Sequence, residues 1–85
     1  MNTAPINLAE LPIAGIYQHY KGQRYQLIEC ARHSETEEWL VVYRCLYGDF
    51  SLWVRPISLF CEHITWPDGQ TRPRFQLEIA TEVTR

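Results

Sequence analysis

Apolar and polar positions along this chain alternate in short runs, and turn residues break the runs at close intervals. Such a pattern predicts strands rather than helices. Ile16 to Tyr20 suits a first strand. Lys21-Gly22-Gln23 makes a tight connection, with Gly22 free to take positive φ. Tyr25 to Arg32 reads as a second strand. Tyr25, Leu27, Glu29 and Ala31 share one face, and Gln26, Ile28, Cys30 and Arg32 share the other. Ser34 to Glu38 is a polar hairpin loop, although Ser34 and Glu37 also match a helix capping box. Trp39 to Tyr47 is the longest strand, too rich in β-branched and aromatic residues to favour a helix. "GDFS" is a turn and "LWVR" a short strand that ends at Pro56, because proline cannot donate to a ladder. Pro56 also suits the start of a helical turn. "PISLF" is therefore one short turn of helix, with Ile57 and Phe60 on one face as a plug. Trp53, just before it, is expected to be buried. "CEHITW" is a short strand and "PDGQ" a turn. "RFQLEIA" is the last strand, with Phe75, Leu77 and Ile79 on one face.

This density of strands and turns predicts a small all-β domain. The expected form is an SH3-like barrel, or a strongly bent antiparallel sheet, of five or six strands. One short helical turn is expected near Pro56–Phe60. The alternative is an α+β domain with the N-terminal arm and "ETEEWLVV" helical. Residues 1–13 read as an N-terminal arm, with Asn7 capping a short turn and Ile6, Leu8 or Leu11 seeking a groove. Residues 14–80 form a single β domain and 81–85 a C-terminal tail. No repeat or low-complexity segment interrupts this plan.

Composition narrows the picture. The 85 residues make one domain, burying only roughly 60–65% of the unfolded surface. The net charge of −2 argues against indiscriminate nucleic-acid binding but leaves room for a local basic patch. No run is long and apolar enough to span a membrane, and the first residues lack the features of a signal peptide. The three cysteines form no C-x-x-C pair, so buried thiols in a reducing cytoplasm are expected.

Several segments are similar to one known pattern. "GIYQHYKG" from Gly15 and "ARHSE" from Ala31 come first. "VVYRCLYG" from Val41, "WVRPISLF" from Trp53, "DG" at Asp68 and "RF" at Arg74 follow in order. Together they resemble the bacterial family known as domain of unknown function 1653. Cys45, where a small residue is expected, and the longer "DGQTRP" connection are mild departures. The resemblance implies a small bacterial protein or module and brings no activity with it.

The residues themselves favour binding over catalysis. His19, His33 and His63 with the cysteines lack metal-ligand spacing, so no metal or other cofactor is expected. There is no nucleophile elbow, phosphate loop or paired-carboxylate motif. "YQHYKGQRY", by contrast, interleaves tyrosines with cations, as single-strand and nucleotide recognition does. An anionic ligand such as RNA or a nucleotide would contact His19, Lys21, Arg24, His33, Arg55 and Arg74. Tyr17, Tyr20 and Tyr43 would give aromatic support, and Arg55 with Arg74 a fork-shaped anion site. One alternative is a protein-interaction adaptor using a groove of Trp39, Tyr43, Tyr47, Trp53 and Trp66. Another is a small enzyme or enzyme subunit using His19, His33 and Glu35.

Overall fold

In the computed structural model, which describes residues 11–81, seven strands and one helical turn follow the chain. They are β1 (Gly15–His19), β2 (Arg24–Arg32), β3 (Trp39–Cys45), β4 (Leu52–Pro56), α1 (Ile57–Phe60), β5 (His63–Thr65), β6 (Thr71–Pro73) and β7 (Phe75–Ala80). The expected cap at Asn7 and the arm residues Ile6 and Leu8 lie outside the described residues. Leu11 is described and is buried.

Five strands form one antiparallel sheet in the order β4-β3-β2-β1-β7, and β5 and β6 form a separate hairpin. The bent-sheet expectation fits this arrangement. The barrel does not, because no ladder joins β4 to β7, and among the described residues both are edges. The α+β alternative does not fit either, since residues 39–42 of its expected helix belong to β3; its helical N-terminal arm lies largely outside the described residues. The bend is nonetheless marked. The Arg55 guanidinium of β4 lies 5.3 Å from the ring centre of Phe75 in β7, so the two edges converge across the concave face.

That face holds the core of Tyr17, Leu27, Val41, Tyr43, Phe60 and Phe75. Phe60 brings α1 over it, stacking on Phe75 at 4.2 Å with the rings nearly parallel. Pro56 closes β4 and stands directly before the helical turn, as its missing N–H and fixed φ require.

Two bulges change the expected facing of side chains. In β2 the register skips a residue between Leu27 and Glu29. One extra residue reverses the alternation. Cys30, opposite Val41, therefore packs against the core, and Glu29 leaves it. The second bulge, between Ile16 and Tyr17, pairs Ile16 with Ile79 but Tyr17 with Leu77. It breaks the single face expected of β7: Phe75 is buried and Ile79 is 62% exposed. Gly15 sits where β7 comes too close to leave room for a side chain. A Cβ there would meet the Ile79 carbonyl oxygen at 2.5 Å.

Candidate functional site

The candidate site lies at the end of the concave face where β1 turns into β2. His19 closes β1, and its N–H donates to the Gln23 carbonyl at 2.8 Å across the turn. Gly22 makes that turn with φ 107°. The His19 Nδ1 accepts the Lys21 backbone N–H at 3.2 Å, so the ring is fixed in place by its own turn. The Tyr20 N–H donates to the Arg74 carbonyl, which ties the turn to the β6–β7 connection.

These ties gather side chains that are far apart in sequence. His19 packs against Tyr20 at 4.6 Å and Phe75 at 4.7 Å between ring centres. Lys21 and Arg74 each place their charge 5.7 Å from the centre of the Tyr20 ring. Arg55 arrives from β4 over Phe75. Three cations therefore surround one buried histidine. Arg74 is paired with Glu62 at 2.9 Å, yet its Nε is buried with no hydrogen-bond partner. Among the described residues neither Lys21 nor Arg55 belongs to an ion pair.

The electrostatics follow from this geometry. His19 is 9% exposed. Burial first, then the charges of Arg55, Arg74 and Lys21, lower its pKa from 6.5 to about 4. It is thus a neutral ring near pH 7, with Nδ1 accepting and Nε2 carrying the proton.

Beside the cations lies a hollow of about 330 Å³, lined by Tyr25, Tyr43, Tyr47, Asp49, Trp53 and Arg55 among others. Its shape comes from the β3–β4 turn, where Gly48 and Phe50 both take positive φ. The Ser51 Oγ accepts the Trp53 indole N–H at 2.8 Å and orients that ring. The Tyr25 and Tyr47 hydroxyls lie 2.6 Å apart. Burial, and then this contact, hold the Tyr25 phenol well above the usual range, so it stays protonated. Trp53, expected in the core, is 55% exposed. It pairs with Tyr43 on the core side, but among the described residues β4 is an edge with no strand beyond it.

The structure thus brings together His19, Tyr20, Lys21, Arg55 and Arg74, with Tyr43 in the adjoining hollow. It separates the others. Arg24 is tied to Glu78 by two hydrogen bonds of 2.7 and 3.1 Å, next to Gln18, which faces away from the core. His33 lies just beyond the far end of β2, where its Nδ1 accepts the N–H groups of Glu35 and Thr36. The length of β2 therefore separates His33 and Glu35 from His19. Tyr17 is a core residue whose hydroxyl donates to the Ile13 carbonyl at 2.7 Å. The expected groove keeps Tyr43, Tyr47 and Trp53. Trp39 instead stacks under Arg32, and Trp66 is buried in the β5–β6 hairpin under Arg72.

Phe75, absent from the expected contacts, is the hub of the site. Its ring touches those of His19, Tyr25, Tyr43 and Phe60. Only its place beside Arg74 in the "RF" motif pointed to it. Among the described residues no three of His, Cys, Asp and Glu gather as metal ligands. No described helix is long and apolar enough to cross a membrane.

Comparison with known proteins places this architecture among relatives. The family described as "Protein of unknown function (DUF1653)" matches residues 15–77. The crystal structure of a DUF1653 protein from Bordetella bronchiseptica is similar, with 30% identity and a TM-score of 0.75. The match covers 88% of this chain and 97% of that one. No curated protein matches.

Proposed function

The chain belongs to the DUF1653 family, and we propose that it is a binding module, not an enzyme, for an anionic ligand such as RNA or a nucleotide. The observation that carries this reading is the convergence of Lys21, Arg55 and Arg74 on His19 beside an aromatic hollow. Cations of one sign repel each other. Glu62 offsets one of the three, Arg74; holding Lys21 and Arg55 beside it costs stability unless a further anion joins them.

The partly exposed side chains suit such a ligand. Arg55 offers a fork of donors. Tyr47 and Trp53, 41% and 55% exposed, offer faces on which a base can stack. Glu62 pairs with Arg74, which leaves Lys21 and Arg55 as the cations of the cluster without an ion pair among the described residues.

The test is an NMR titration of labelled full-length protein with short RNA and DNA oligomers and with nucleotides, at low and moderate salt. Shifts are expected at His19, Tyr20, Lys21, Arg55 and Arg74. Affinity should fall with salt by a log–log slope of roughly 0.7 per phosphate contacted. Spectra that stay unchanged with every oligomer and nucleotide would overturn the reading.

A further inference from the structure

We propose that the free edge of β4 is a docking strand for an extended, acidic segment of a partner protein, held by strand addition. The strand edge itself is distinct from the cation cluster around His19, although Arg55 and the aromatic hollow with Trp53 border both. Among the described residues β4 is the last strand of its sheet. The Cys45 N–H donates to the Ser51 carbonyl at 3.0 Å. Antiparallel ladders alternate, so Trp53 and Arg55 turn their backbone groups towards β3, and Leu52 and Val54 turn theirs outward. Those outward groups are a template for one more strand.

The side chains along this edge fit such a guest. Leu52, Trp53 and Val54 are 52%, 55% and 59% exposed, three consecutive apolar residues in water. A hollow of about 300 Å³ lined by Val42, Leu52, Trp53 and Val54 lies against the strand. The aromatic hollow with Tyr43 and Trp53 lies on its core side. A strand laid along β4 would send alternate side chains to the two faces.

Charge decides between possible guests. Arg44 flanks the edge on the outer face, opposite Leu52, and donates to the Phe50 carbonyl. Arg55 flanks it on the core face. Among the described residues neither meets a carboxylate in an ion pair. Pairing two copies along β4 would gather four guanidinium groups around one seam. The five residues of β4 also span only roughly 17 Å, a short seam for the roughly 800 Å² per partner of a stable dimer. A guest strand with Asp or Glu on both faces, among branched apolar residues, complements the edge.

The experiment presents the immobilised full chain with a display library of random linear peptides, each about twelve residues long. Enriched peptides should combine branched apolar residues with Asp or Glu. In labelled protein the best of them should shift the Leu52 and Val54 amides and slow their exchange. Val54→Pro removes one outward N–H at an edge position that needs no bond to β3. It should weaken binding at least about tenfold. Leu52→Lys combined with Val54→Lys keeps the backbone intact and removes the apolar contacts. It should weaken binding as well, and it serves if the proline variant does not fold. Failure to enrich any peptide, enrichment of basic peptides, or binding that survives both variants would overturn the proposal. So would self-association through β4 without peptide. Shifts confined to His19, Lys21 and Arg74 would overturn it too, while leaving the anion site standing.

Discussion

At the scale of single residues, His19 links the site to pH. Its pKa is depressed to about 4 in the folded protein, against 6.5 for an ordinary histidine. The unfolded chain therefore takes up a proton first as pH falls. Stability contributed by the neutral ring is present above pH 6.5 and is lost as pH drops from there towards 4, by roughly 2–3 kcal/mol. Urea unfolding at pH 7 and pH 4.5 should show this loss, and His19→Asn should flatten that part of the profile. The cations supply a second test. Arg55 acts on His19 more strongly than Lys21 does. Arg55→Gln should therefore raise the histidine pKa further than Lys21→Gln, as followed by its ring signals during titration. An anion bound among these charges should raise it too, so ligand binding should take up protons near pH 5. The residue types at this site were legible in sequence, because "YQHYK" sets cations and rings side by side. Their selection was not. Arg24 and Lys21 are neighbours in sequence, yet Arg24 sits beyond the turn on the other face, where Glu78 holds it.

At the scale of elements, turns and strand cores were readable and faces were not. Gly22, the polar loop after Arg32 and the proline before α1 each announce their conformations through a local constraint on φ or on hydrogen bonding. Bulges have no such mark. Nothing local in "RYQLIECAR" says that Ile28 is the extra residue, because the bulge is settled by how β2 fits β3. The short β6, Thr71–Pro73, was missed for a related reason: three residues carry too little pattern, and its pairing with β5 decides it. Gly15 tests how closely the strands approach. Alanine there would set its Cβ 2.5 Å from the Ile79 oxygen and 2.8 Å from Leu77 Cδ1. Gly15→Ala should therefore destabilise the protein by roughly 1–3 kcal/mol. The Thr81 N–H, which donates to the Ala14 carbonyl at 2.9 Å, should exchange with solvent faster than in the parent. Parent-like exchange at Thr81 would mean that β1 and β7 can separate slightly without cost.

At the scale of the whole molecule, a bent sheet and a barrel draw on the same strands and differ only in whether the edges meet. Sequence pattern reports strands one at a time, so it gave no means of choosing. The choice lies in what fills the concave face. Phe60 and Phe75 stack at its centre, and Arg55 then reaches Phe75 from the far edge. Side-chain contacts, not a backbone ladder, span the concave face between the two edges. The two bulky aromatics named with the β4–α1 stretch should therefore behave oppositely. Phe60 is 1% exposed and holds α1 against the sheet, whereas Trp53 is 55% exposed on the edge. Phe60→Ala should cost about 3–5 kcal/mol, enough to unfold a large share of so small a domain. Trp53→Ala should cost under about 1 kcal/mol, as a half-exposed surface position allows. Urea midpoints of the two variants measure this directly. A large loss on removing Trp53 would mean that its ring helps to close the sheet. The aromatic hollow would then belong to the fold's stability before it belonged to any ligand.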